Sequence, residues 1–107
     1  MSKYQIEDYT VTPITSAQRA KLRSLAADMS AIIQVGKGGI NDTLVTTVHD
    51  ALEARELIKL RVLDNCELSS REAADRIAEE TNADVVQVIG SRFILYRESI
   101  DNKKIIL

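Results

Sequence analysis

Apolar residues recur along this chain with two periods, one helical and one of strands. Leu22, Leu25, Ala26 and Met29 recur at helical spacing and predict an amphipathic helix. Thr15 with Gln18 three positions on supplies a capping box that opens it. Residues 31–35, AIIQV, are short, apolar and β-branched, which predicts a strand. Asn41, with Asp42 behind it, caps a second helix running to Arg55 and Glu56. Its buried face carries Leu44, Val45, Val48, Ala51 and Leu52. In LIKLRVL, residues 57–63, Ile58, Leu60 and Val62 alternate with Lys59 and Arg61. That is a strand with one face on a core and the other toward water. Ser69 and Glu72 form a second capping box, opening a helix with Ala73, Ile77 and Ala78 inward that ends at Thr81 and Asn82. Residues 85–89 and 92–97 read as two strands joined by Gly90-Ser91, a loop suited to a type II′ hairpin turn. The closing KKIIL adds a short strand or packs as a tail.

The order is helix, strand, helix, strand, helix, strand, strand. Two strand–helix–strand units imply right-handed crossovers, and the terminal hairpin adds an antiparallel pair. The expected fold is a two-layer α/β sandwich with a mixed four-stranded sheet and helices mainly on one face. Residues 14–107 are expected to form a single domain behind an N-terminal arm, residues 1–13, that ends at Pro13. There is no internal repeat.

Composition narrows the chemistry. The chain has 107 residues, 45% apolar and 28% charged, which suits one globular domain. A lone cysteine, Cys66, excludes an internal disulfide, and a lone histidine, His49, removes histidine metal clusters. Both read as structural residues. No apolar run is long enough to span a bilayer, and the opening MSKYQIEDYT is not a secretory signal. A cytoplasmic protein is the expectation. The net charge of −2 is unevenly spread. Arg19, Lys21, Arg23 and Lys37 make residues 15–40 basic, whereas seven acids against Arg71 and Arg76 make residues 64–84 acidic.

Gly36-Lys37-Gly38-Gly39 separates the first strand from the second helix. Glycines there admit positive φ and hold no side chain between backbone and ligand. The first amides of a helix lack intrahelical partners and favour an anion such as phosphate. A P-loop needs Ser or Thr after its lysine, and none follows Lys37. The dinucleotide fingerprint fails because position 41 is Asn. Arg19, Lys21 and Arg23 on the first helix, expected to project together toward solvent, and Lys59 and Arg61 on the second strand, extend the loop into a candidate polyanion track. Arg92 and Arg97 are weaker candidates. Phe93 and Tyr96 fall on opposite faces of the last strand, Phe93 in the core and Tyr96 packed or stacking on a base.

The stretch from AIIQVGKGGIND through ARELIKLRVL, followed by VVQVIGSRFILYRE, resembles the CRM domain (chloroplast RNA splicing and ribosome maturation). It is most similar to the stand-alone bacterial YhbY-type RNA-binding proteins, over about residues 14–98. The resemblance implies a fold similar to the C-terminal domain of translation initiation factor three. It also implies RNA contact through the Gly36–Gly39 loop. The implied partner is ribosomal RNA in a large-subunit precursor, with no cofactor, membrane or small-molecule substrate. Ala31 stands where the family would have proline, and the chain is acidic for an RNA binder. Two other readings stay open. One is an adaptor docking a basic ribosomal protein through the acidic third helix. The other is an enzyme acting on a phosphorylated small molecule, which lacks a nucleophile–base pair and a metal set.

Overall fold

A computed structural model of the chain describes residues 13–107. The expected arm at residues 1–13 therefore lies, save Pro13, outside the described residues. Helix α1 spans Ser16–Ala26, strand β1 Ile33–Val35, helix α2 Asp42–Arg55 and strand β2 Leu57–Val62. Helix α3 spans Ser70–Thr81, and strands β3 and β4 span Asp84–Ile89 and Arg92–Tyr96. All three helices open on the predicted caps. Thr15 and Ser69 complete reciprocal capping boxes, and Asn41 Oδ1 accepts from the Leu44 amide at 2.8 Å. Asn82, in the left-handed region, ends α3.

The sheet order is β1-β2-β4-β3. β1 and β2 run parallel across the α2 crossover, and β4 lies antiparallel between β2 and β3. The sheet is mixed, as expected, and α2 and α3 form the second layer. Their side of the sheet holds the larger core, built from Val35, Leu52, Ile58, Leu60, Ile77, Phe93 and Leu95 among others. Helix α1 lies on the opposite face. Leu22 and Ala26 pack there on Leu57, Val86, Ile94 and Tyr96. Tyr96 is thus a packed residue, 6% exposed, on the face opposite Phe93. Leu25, expected in the buried stripe of α1, is 48% exposed. It lies about 100° around the helix from Ala26, at the margin of the buried stripe.

The hairpin turn at Gly90 has φ +56, as a glycine-first turn requires. Strand β3 carries a bulge, because Val85 pairs with Leu95 while Gln87, two positions later, pairs with Ile94. The extra residue resets the alternation. Val86 and Gln87 both meet the α1 side, and Val88 returns to the larger core.

The closing KKIIL is a tail, not a strand. Glu56, fully buried behind α2 at φ 66, fastens it. Its carboxylate accepts the Ser99 and Ile105 amides at 2.7 Å each, and the Lys104 amide as well. Burial pushes the Glu56 carboxyl up, but the three amides and the nearby Lys103 charge outweigh it and leave it below its ordinary value of 4.5. A carboxyl depressed by folding stabilises the fold above its unfolded value. That stabilisation fades as pH falls from 4.5 through the lower folded value. Glu56→Gln is expected to cost roughly 1–2 kcal/mol at neutral pH, because one of the three amides loses its acceptor and the other two keep only a neutral one. Thermal melts between pH 7 and 3 should show the gap between variant and parent narrowing toward the acid end.

Candidate nucleic-acid interface

Strand alternation sends Leu57, Lys59 and Arg61 of β2 to the α1 side of the sheet, and Ile58, Leu60 and Val62 to the larger core. Helix α1 has 11 residues, so it is only about 16 Å long. Its contacts with Leu57, Val86, Ile94 and Tyr96 use the end of the sheet where β2 begins and β4 ends. Among the described residues no helix covers the other end of that face. There, Gln34 pairs with Arg61, Arg61 with Arg92, and Arg92 with Ile89. These four residues form one row across all four strands, with neighbouring strands about 4.8 Å apart. The next row holds Lys59, Ile94 and Gln87. Arg61 and Arg92 are exposed, and Lys59 is half-buried.

Two arginines directly opposite each other repel. Among the described residues none of Arg23, Lys59, Arg61 and Arg92 takes part in an ion pair. This cluster of like charge has no carboxylate within ion-pair distance among the described residues.

The Gly36–Gly39 loop leaves the same end of the sheet, two residues beyond Gln34. It closes as a tight turn, with the Gly39 amide donating to the Gly36 carbonyl at 3.0 Å. Among the described residues the Lys37 and Gly38 amides donate to no backbone carbonyl. Lys37 is exposed at the tip. The three glycines differ in kind. Gly39 has φ +62, a conformation that an L side chain adopts only at a cost. At Gly36 an added Cβ would meet only ordinary neighbours, Leu63 Cδ1 at 3.5 Å and Asn65 Oδ1 at 3.6 Å. At Gly38 it would meet Asn41 Nδ2 at 3.4 Å. Internal packing does not demand glycine at these two positions. A shallow groove of about 630 Å³ runs from these glycines along the free edge of β1, past Gln34, to Thr43 and Thr47 of α2.

The basic residues of α1 meet three different fates, so they do not project together toward solvent. Arg19 turns inward, and its guanidinium donates to the carbonyls of Val85 and Val86, at 3.2 Å to the latter. Those are the carbonyls disturbed by the bulge, so Arg19 braces β3. Lys21 reaches the tail and donates to the Ile106 carbonyl at 2.6 Å. Only Arg23 joins the bare face, lining a cleft with Lys59 and Arg92. Asp84 beside Arg19 has its carboxyl raised by burial, an effect that the Arg19 charge only partly offsets.

Arg97 is not a surface cation at all. It is 7% exposed and locks α2, α3 and β4 together. Its guanidinium donates to the Thr81 carbonyl at 2.8 Å and contacts His49 Nδ1 at 3.0 Å and Glu53 at 3.3 Å. His49 is thus structural, as expected. Sequence reasoning ranked Arg92 low and passed over Gln34, Gln87 and Ile89. The signal for them was strand parity, which becomes usable only once β4 is known to lie beside β2.

The acidic residues of α3 sit elsewhere, whereas the exposed Asp42 and Asp64 closely follow the glycine loop and the end of β2. Glu72, Asp75, Glu79 and Glu80 are exposed on α3, on the far layer from the cationic row. Among the described residues no group of three or more His, Cys, Asp or Glu side chains could hold a metal ion. No described helix is long and apolar enough to cross a membrane.

Residues 14–97 match the family model of the CRS1 / YhbY (CRM) domain. The chain is similar to the Bacillus subtilis protein named Probable RNA-binding protein YqeI, with 45% identity over 92 residues, 86% of this chain and 96% of that one. It is also similar to a Haemophilus influenzae protein named RNA-binding protein, with 29% identity over 93 residues, 87% of this chain and 94% of that one. A hypothetical protein from Staphylococcus aureus, solved in solution and described as a candidate RNA binding protein, superposes with a TM-score of 0.74. It shares 47% identity, over 88% of this chain and 98% of that chain.

The glycines can be separated by experiment. Gly39→Ala should destabilise the fold by about 1–2 kcal/mol, the cost of a left-handed alanine. Gly36→Ala and Gly38→Ala should stay within about 0.5 kcal/mol of the parent in urea unfolding, as ordinary surface changes do.

Proposed function

The chain belongs to the CRS1/YhbY (CRM) domain family, and from that premise we propose that it is a non-catalytic RNA-binding protein of ribosome assembly. In this reading the Gly36–Gly39 loop seats a phosphate on its open amides, and Lys37 pairs with a neighbouring one. The strand continues over Arg61 and Arg92 toward Lys59 and Arg23. Residues 14–107, tail included, act as one binding unit, and the partner is ribosomal RNA in a precursor of the large subunit, met in the cytoplasm.

The observation that carries the reading is the uncompensated pair Arg61 and Arg92, side by side on bare sheet beside the glycine loop. Like charges held together cost stability. A polyanion turns that cost into affinity. The acid-rich α3 lies on the opposite layer, so the molecule is polarised and would approach RNA with its cationic face leading. Net acidity is then compatible with RNA binding, because the acid-rich α3 is on a different side from the arginine row. Arg19 and Lys21, engaged within the fold, act as braces in this reading rather than as phosphate contacts.

The exposed acids of α3 favour a second role alongside the first, in which this helix meets a basic ribosomal protein while the opposite face holds RNA. Reversing Asp75, Glu79 and Glu80 together, with the Glu72 cap left intact, should leave affinity for naked RNA within about twofold, since the contacts of the cationic face are untouched. Loss of ribosome association in sedimentation profiles of the same variant would establish the docking role.

Lys37→Ala, Arg61→Ala and Arg92→Ala should each weaken binding to single-stranded RNA. Each should also make the slope of log affinity against log salt shallower by about 1. Arg92→Ala should not lower the melting temperature, because it relieves a repulsion. Unchanged affinity and slope in all three, measured by fluorescence anisotropy between 50 and 200 mM salt (about the range over which phosphate contacts dominate), would refute the assignment.

A further inference from the structure

The bare half of the sheet is not flat. Where the end of α1 approaches β4 and β3, a cleft of about 330 Å³ opens. That is the lower end of the roughly 300–1,000 Å³ range of small-ligand sites. Its floor is Ile94, with Ile89 and Gln87 along the side, and its cations are Arg23, Lys59 and Arg92. Ile89 is 59% exposed, an apolar side chain in direct pairing register with an arginine. Gln87 faces the cleft only because the β3 bulge turns it there. Arg19 holds that bulge.

We propose that this cleft takes one unpaired nucleotide of the bound RNA, base inward. The proposal rests on the RNA-binding reading and adds recognition of a base to it. The chemistry of the cleft is divided as a nucleotide is divided. The apolar floor accepts the face of a base, the Gln87 amide offers both a donor and an acceptor to its edge, and three cations surround the position of its phosphate. A duplex cannot enter so small a cleft, since its bases are stacked and paired. A flexible strand can splay one base out. The glycine loop and the arginine row would then fix the backbone, whereas the cleft selects RNA that is single-stranded at one position. Sequence preference follows from Gln87, which meets different patterns of donors and acceptors on different bases.

The test compares two oligomers of equal length on the full chain. One is single-stranded RNA, and the other is the same ribose–phosphate chain with all bases removed. The base-bearing strand should bind at least about fivefold more tightly, the gain expected from burying roughly 40 Å² of apolar surface. Ile89→Ser and Gln87→Ala should erase most of that difference while leaving affinity for the abasic strand unchanged. Arg61→Ala should weaken both strands alike. Circular dichroism melts of each variant confirm that the fold persists; if Ile89→Ser melts early, Gln87→Ala alone carries the comparison. Equal affinity of the parent for the two strands overturns the cleft while leaving RNA binding standing. Failure of the parent to bind either strand overturns the RNA-binding reading and the cleft together. Competition by a free nucleoside monophosphate as effective as that by the oligomer would also overturn it, in favour of a soluble nucleotide site.

Discussion

One short helix cannot cover one face of a four-stranded sheet. Helix α1 is about three turns long, and its two fully buried side chains, Leu22 and Ala26, reach only one end of the face. The opposite face has two helices and the larger core. This mismatch in coverage is what the remaining surface chemistry depends on. A sheet face that is left bare must carry polar or charged residues, and here they are Gln34, Lys59, Arg61 and Arg92. The fold thus provides an ordered platform, with the cations of β2 and β4 spaced by the strand separation and not by flexible loops.

The platform is built at some expense to the fold. Arg61 against Arg92 is a pairing that a sheet selected for stability alone would avoid. Gly36 and Gly38 stand where an alanine would fit, so their backbone freedom is not repaid by packing. Both features make sense if an external anion completes the site. The β3 bulge belongs with them. It breaks the ladder at Val86, takes a guanidinium from α1 to restore acceptors, and turns Gln87 onto the open side. The arginine pair and the glycine loop lie at one end of this face, whereas the bulge lies toward the other end, beside the residues that α1 covers.

Other charges are spent inside. Arg97 links α2, α3 and β4, and Glu56 ties the tail to the end of α2. A buried guanidinium with carbonyl, imidazole and carboxylate partners is well satisfied, and losing it would strand several polar groups. Glu56 achieves with one carboxylate what a fifth strand would need a full ladder to do. These residues cannot serve RNA, although by composition they are indistinguishable from those that can.

Element order, all three N-caps, the glycine-first hairpin, the inward faces of α2, α3 and β2, and the glycine loop at a strand–helix junction were legible in the sequence, because each is set by neighbours a few residues away. The resemblance to the CRM family was legible for the same reason, since its motifs are contiguous. Which cations share a surface was not. Arg19, Lys21 and Arg23 lie on one helix yet end on a bulge, a tail and an open cleft. Arg92 and Arg97 lie on one strand's length yet end on a bare face and in the interior. Local sequence determined the elements and their polarity. Tertiary structure decided the electrostatic surface, because strand order, the bulge and the reach of α1 set which side chains become neighbours, and those depend on contacts far apart in the chain.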